Sequence, residues 1–277
     1  MKYFLTLLLC AVCVFANAQS WSVSSKSVDI QFTDVVYLET VYHQPNNTKT
    51  DTLPGTGFLI TTADSNIYLV TTKHQLQVAV NINGEQRIAQ FLRVGRDKNS
   101  MNAIELTPLK HSRYCILSAD KEDVAIISLK NKKIVLNNLI RAGGKPVSAD
   151  SLDVSIRKAK DSFFITAYSS YYDKFVRQVS AGLSPGTISR YNYTASTFLI
   201  KHFVTPSYGG APIFNNDKII GMVIHTNGLN SAEACLKNPY QNGESAVAVK
   251  AKIIARLLTV LQQRQENSYL NRYRSKH

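Results

Sequence analysis

The sequence predicts an all-β protein built from two packed antiparallel β-barrels, with a C-terminal α-helix. Three observations support this class. Much of the 277-residue chain falls into two sets of short segments rich in Val, Ile, Leu, Tyr and Phe, bounded by Asn, Asp, Gly or Lys. A segment with Gly143, Gly144 and Pro146 separates the sets, and apolar residues recur at helical spacing after residue 250. Many short strands joined by turns are typical of barrels, and a hydrophobic content of 44% suits a globular core.

Residues 1–18 are typical of a secretory signal peptide. Lys2 supplies the positive start, residues 4–15 form an apolar run, and residues 16–18 (Ala-Asn-Ala) form a cleavage site that leaves Gln19 first in the mature chain. The alternative is a transmembrane anchor, but a run of about 12 residues is shorter than the roughly 20 that span a bilayer. We therefore expect a secreted or periplasmic protein with no transmembrane segment after signal removal.

The first set of segments predicts an N-terminal barrel over residues 19–135. Its strands are expected at 35–42, 57–61, 67–72, 78–82, 88–94, 114–117 and 124–129. Residues 131–149 carry the loop-forming glycines and proline and connect this barrel to the next.

The second set predicts a C-terminal barrel over residues 136–249. Its strands are expected at 154–156, 163–169, 175–181, 197–203, 212–214, 219–224 and 246–249. We find no internal repeat in the sequence, so the two barrels are expected to differ in detail.

Residues 250–277 predict a helix, to about residue 265, followed by a basic tail. Its apolar positions are Ile253, Ile254, Leu257, Leu258 and Leu261, which favour packing on the second barrel over a membrane-surface role. The formal charge is +13, and the mature chain keeps +12 because the signal carries only Lys2. Charge is densest in the tail, at Arg264, Arg272, Arg274 and Lys276. Such a balance suits an anionic surface as a partner of the tail, but a solvated basic face is the simpler interpretation, and no motif predicts nucleic-acid binding.

Four cysteines occur, and Cys10 and Cys13 lie in the signal. Cys115 and Cys235 remain in the mature chain. An oxidising compartment would allow them to pair, although two cysteines do not make a disulfide framework, and buried thiols are an equal alternative. Neither lies beside a metal-ligand partner at useful spacing, so we expect no metal and no cofactor.

Two residues at strand ends suggest acid–base chemistry. Residues 55–60 (Gly-Thr-Gly-Phe-Leu-Ile) predict a strand, residues 68–72 a second, and His74 follows just past the end of the second. An imidazole there can take and give a proton near neutral pH. Asp123 precedes the apolar strand at 124–129, where a carboxylate can accept the imidazole N–H and fix its tautomer. Taken singly, a capping histidine and a turn aspartate are the simpler interpretations.

A third motif suggests that His74 and Asp123 belong to one site. Residues 205–214 (Thr-Pro-Ser-Tyr-Gly-Gly-Ala-Pro-Ile-Phe) precede an apolar strand at 219–224. With His74 and Asp123 in that chain order, the sequence resembles the chymotrypsin-like (trypsin-like) serine peptidases, particularly their exported bacterial branch, over about residues 34–260. The resemblance implies a cleft between two six-stranded barrels, with His74 as general base and Asp123 as the residue that orients it.

The third motif departs from the family pattern, which runs roughly Pro-Gly-x-Ser-Gly-x-Pro. Aligned on Pro212, Gly209 occupies the nucleophile position and Ser207 occupies the oxyanion-hole glycine, with Tyr208 between them. Glycine at 209 has no side chain to attack a carbonyl. Serine at 207 has a Cβ where the family relies on the backbone freedom of glycine. A displacement of only about 1 Å can cost about a hundredfold in rate, so attack by Ser207, two residues early, needs a rearranged loop.

The resemblance also points to a first specificity pocket, formed by residues shortly before the loop and on the following strand. Lys201, His202 and His225 are its notable members, and they would favour an acidic or amide side chain. The alternative for His225 is that it simply ends a strand. A metal site from His202 and His225 lacks a supporting acid or cysteine.

The sequence thus predicts an exported serine-peptidase homologue with impaired catalysis that binds peptide or protein in the inter-barrel cleft. One alternative is an active serine endopeptidase that uses Ser207 with His74 and Asp123. The other is a basic surface-binding module that acts through the tail.

Overall fold

The computed structural model describes residues 35–44, 47–77, 79–80, 86–96, 100–110, 112–119, 121–169, 180–226 and 243–274. The signal peptide and its two cysteines, Cys235 and the tail residue Lys276 lie outside these ranges. Cleavage after residue 18, a bridge between Cys115 and Cys235, and export therefore remain predictions. No helix in the described ranges is long and apolar enough to cross a bilayer.

The N-terminal half forms a nine-stranded sheet. Its strands are β1 (Val35–Gln44), β2 (Asn47–Thr61), β3 (Ile67–Thr72), β4 (Ala79–Val80), β5 (Gln86–Gly95), β6 (Asn102–Glu105), β7 (Cys115–Leu117), β8 (Val124–Ser128) and β9 (Val147–Ser148). Seven of them run in the order β4-β5-β1-β2-β3-β8-β7, with β6 paired to β5 and β9 to β2. Within it, β3 and β8 are antiparallel neighbours, so the end of β3 lies beside the start of β8.

The C-terminal half forms a closed six-stranded barrel. Its strands are β10 (Ser162–Ser169), β11 (Ser180–Tyr191), β12 (Thr197–Val204), β13 (Pro212–Asn215), β14 (Lys218–Thr226) and β15 (Gly243–Lys250), in the ring order β10-β11-β12-β15-β14-β13. Strand β12 illustrates how the barrel buries its inner face. Phe198 and Ile200 are buried while Lys201 is exposed, as expected for a strand with one face toward a core.

The all-β class with two barrel-like sheets and a C-terminal helix is confirmed. The two sheets pack face to face through an apolar cluster to which both contribute. Tyr37 of β1 and Tyr168 of β10 meet there with ring centroids 5.6 Å apart. The division of the chain at residues 135 and 249 stays a prediction.

Three α-helices accompany the sheets within the described ranges: α1 (Thr107–Lys110), α2 (Lys133–Arg141) and α3 (Ala251–Arg274). The apolar face predicted from residue 250 onward is buried in α3, and it packs against Met222 of the second barrel and against Ile116 and Ile126 of the first sheet. The helix therefore binds both halves and not the second barrel alone. It also continues to Arg274, well past the expected end near residue 265.

One expectation about the middle of the chain is wrong, and another needs a detail added. The strand expected at 154–156 is absent, and Val154 and Ile156 are 60% and 69% exposed. Asp153 instead accepts the backbone N–H of Ser155 and pairs with Arg157, which holds the segment as a turn. The connection expected at 131–149 contains α2, whose Val135 and Leu139 are one helical turn apart and buried.

Candidate active site: a histidine–aspartate pair beside a buried serine loop

The sheet register brings His74 and Asp123 together. Thr72, the last residue of β3, pairs with Val124, the first residue of β8. His74 lies in a single 3-10 turn directly after β3, and Asp123 directly precedes β8. The side chains meet, with 2.7 Å between His74 Nδ1 and Asp123 Oδ2. Because antiparallel strands place opposite ends side by side, the contact follows from the position of each residue.

Asp123 binds the histidine turn at three points. Its Oδ1 accepts the backbone N–H of His74 at 2.9 Å, and its carbonyl oxygen accepts the N–H of Lys73 at 3.0 Å. Its φ of 51° lies in the left-handed region, which aspartate tolerates better than most residues. These bonds fix the carboxylate and the turn relative to each other, so the ring is held in one orientation.

The second ring nitrogen of His74 contacts a threonine hydroxyl. Nε2 lies 3.3 Å from Thr72 Oγ1, and His74 is only 6% exposed. With Nδ1–H donated to Asp123, Nε2 is an acceptor and the Thr72 hydroxyl donates to it. The ring is thus fixed through both nitrogens, and its accepting nitrogen is already occupied within the protein.

The loop of residues 205–212 places the Ser207 hydroxyl inside the protein. Residues Pro206–Tyr208 form a single 3-10 turn, and Ser207 is completely buried. Its Oγ lies 2.8 Å from Thr205 Oγ1, and its carbonyl accepts the Thr56 hydroxyl at 2.7 Å. Ser207 is thus held by its side chain and its backbone.

Gly209 and Gly210 bring this loop against the first sheet. The Gly209 carbonyl accepts the N–H of Thr56 at 2.9 Å. Gly210 has a φ of 90°, and a Cβ built there would lie 1.9 Å from the carbonyl oxygen of Thr56. Only glycine permits both the conformation and the close approach. Tyr208, the remaining predicted loop residue, is half-buried, and its ring centroid lies 6.0 Å from that of His202.

Thr56 is the residue that sequence reasoning missed. Its hydroxyl also accepts the backbone N–H of Tyr168 at 3.1 Å, and its carbonyl accepts the Thr71 hydroxyl at 3.0 Å. Thr56 therefore ties the loop and β10 of the second barrel to β2 and β3, the strand that leads to His74. The available signal in the sequence is a threonine between Gly55 and Gly57, but by itself that pattern predicts only a strand.

The residues predicted for the specificity pocket have different surroundings. Lys201 is exposed on β12, and His225 is half-buried on β14. His202 Nδ1 donates to the Pro185 carbonyl at 2.9 Å, while its Nε2 is buried and has no hydrogen-bond partner among the described residues. Burial lowers the pKa of His202, so the ring is neutral near pH 7. That these three residues select a substrate side chain remains a prediction.

No protein-family model matches the chain, and no curated protein matches it. A solved structure of a Glu endopeptidase in complex with MPD superposes with a TM-score of 0.45 at 13% identity, covering 80% of this chain and 86% of that one. The two-sheet architecture itself follows from the strand pairing described above.

Proposed function

We propose that this chain is an exported trypsin-like serine-peptidase homologue, impaired in catalysis, that binds a peptide or protein segment in the cleft between its two barrels. The proposal rests on the placement of Ser207. Its hydroxyl is buried against Thr205, whereas His74 Nε2 contacts Thr72. Gly209, at the position of the family's nucleophile, offers only backbone. The oriented base therefore has no attacking group supplied by this loop.

Loss of the nucleophile is decisive for rate. In a model protease, removing the nucleophile alone costs about as much as removing the whole triad, roughly a millionfold in kcat. What survives such a loss is binding, because the cleft and its backbone donors do not depend on the missing hydroxyl. A homologue in this state would hold a peptide without cutting it.

The alternative, an active endopeptidase that uses Ser207, needs the loop to rearrange. The Ser207 hydroxyl would have to leave Thr205, and its carbonyl would have to release Thr56. A fluorophosphonate probe separates the two cases, since it labels only an activated serine. We expect no label on folded protein, whereas label on Ser207 would establish the alternative.

The catalytic proposal is tested by adding the missing group. We expect the parent protein to leave casein uncut and Gly209→Ser to gain hydrolysis that disappears in Gly209→Ser/His74→Ala. The double variant Ser207→Gly/Gly209→Ser also restores glycine at the oxyanion position, so it should exceed the single variant. Casein hydrolysis by the parent that is lost in His74→Ala would refute the proposal of impaired catalysis.

The binding proposal needs its own measurement. Isotope-labelled protein titrated with peptides from digested casein should show saturable amide shifts in residues 205–211 and not in α2. Shifts spread evenly over the surface, or none at saturating peptide, would contradict binding in the cleft.

A further inference from the structure

A cationic cavity lies away from the serine loop, where three segments meet. Its volume is about 580 Å³, it is widely open to solvent, and it is lined by the turn before β8, the turn between β11 and β12, and the first two turns of α3. Its charged members are Lys121, Glu122, Lys252 and Arg256. Glu122 lines this cavity while the next residue, Asp123, binds the His74 ring, so the cavity and the histidine pair share one turn.

The charges in the cavity do not balance. Arg256 binds both carboxylate oxygens of Glu122, at 2.9 and 3.0 Å, and Glu122 is only 4% exposed. This pair is neutral as a unit. Lys121 and Lys252 remain, and neither has a carboxylate partner among the described residues. The lining residues that the structure describes therefore carry an excess of two positive charges.

A further lysine increases the positive field beside it. Lys250 is 2% exposed, and its Nζ donates to the Asn192 carbonyl and lies 4.1 Å from the centre of the Tyr191 ring. Burial lowers the pKa of Lys250, and the charge of Lys252 lowers it further. The two ammonium groups repel each other, and an anion beside Lys252 would relieve that repulsion.

Polar groups that suit an oxyanion complete the lining. Ser196 and Thr197 line the β11–β12 side with hydroxyl-bearing side chains; Thr194 lies beside them, but its hydroxyl already donates to Asn192 Oδ1. Hydroxyls and ammonium groups both donate hydrogen bonds to phosphate and sulfate oxygens. The volume lies within the range of small-molecule sites, well above the size of a single inorganic ion.

We propose that this cavity binds a small ligand that carries a phosphate or sulfate group, held by Lys121, Lys252 and the hydroxyls of Ser196 and Thr197. Arg256 remains on Glu122 and presents its outer edge to the ligand. The site is independent of the serine loop, so it does not rest on the proposed function.

The test is a titration of isotope-labelled full-length chain with inorganic phosphate, and separately with glucose 6-phosphate, at ionic strength held constant with chloride. We expect saturable shifts in the amides of residues 194–197 and a rise in Tm of roughly 3–6 °C at ten times the dissociation constant. Tighter binding of glucose 6-phosphate would identify an ester as the ligand, and equal binding would identify the free anion.

Three variants with the same chemical change make the result specific. Lys121→Gln and Lys252→Gln should each weaken phosphate binding by at least about tenfold, whereas Lys133→Gln, an exposed lysine on α2 away from the cavity, should not. The Tm of each variant without ligand reports that it is folded. Absence of saturable shifts in the parent, or equal weakening in all three variants, would overturn the proposal.

Discussion

Substituting Gly210 by alanine tests the close approach between the serine loop and the first sheet. The left-handed backbone at this position costs an L-residue about 1–2 kcal/mol. The new Cβ would also lie 1.9 Å from the Thr56 carbonyl oxygen and 2.7 Å from Thr71 Oγ1. Overpacking typically adds about 1–3 kcal/mol. We therefore expect Gly210→Ala to lower the free energy of unfolding by roughly 2–5 kcal/mol.

The chain supplies a matched control at Gly143, just after α2. Its φ of 86° is nearly the same, but a Cβ built there meets nothing within 4 Å. Gly143→Ala should therefore cost only the backbone strain, about 1–2 kcal/mol. Urea unfolding at unchanged m-value measures both. Losses that agree within about 0.5 kcal/mol would show that the loop does not press against Thr56 as described.

Three further outcomes follow from the same structure. Thr56→Val leaves two buried backbone groups without their hydroxyl partner and should cost about 2–4 kcal/mol in urea unfolding, with most of it restored by Thr56→Ser. Arg256→Leu leaves the carboxylate of Glu122 buried and unpaired, and because Arg256 is half-exposed the expected loss is about 1–2 kcal/mol, recovered in the double variant with Glu122→Gln. The pKa of His202 is lowered in the folded state, so its contribution to stability is present above the ordinary value of 6.5 and is lost as pH falls through the folded-state pKa. Tm measured from pH 8 to pH 5 should therefore fall less steeply for His202→Asn than for the parent, and identical slopes would contradict this assignment.

The strands were predictable where alternation or a full apolar run marks them. Strand β3 was predicted with its exact bounds, because Tyr68, Leu69 and Val70 are followed by two threonines and then by a turn. Residues 154–156 show the opposite case. Their Val-Ser-Ile pattern has the right period, but the ion pair between Asp153 and Arg157 turns the chain, and nothing in a three-residue pattern reveals that competition.

At the candidate site, the sequence predicted the contact between His74 and Asp123 but not those of Thr56 and Ser207. The adjacency of His74 and Asp123 follows from strand-end positions, which a motif can capture. The role of Thr56 could not be predicted, because the partners of its hydroxyl and carbonyl lie 15 to 151 residues away along the chain. The burial of Ser207 likewise depends on how the loop docks, which local composition does not encode.

The left-handed turn at Asp123 changes what an intact histidine–aspartate pair signifies. The Asp123 carboxylate accepts the N–H of His74, and the Asp123 backbone carbonyl accepts the N–H of Lys73. Few residue types adopt the left-handed backbone conformation that these two bonds require. Folding alone therefore restrains the residue here, whether or not a bond is ever cleaved. These bonds stabilise the turn whether or not the protein hydrolyses peptides, so a histidine–aspartate pair here is not by itself evidence of catalysis.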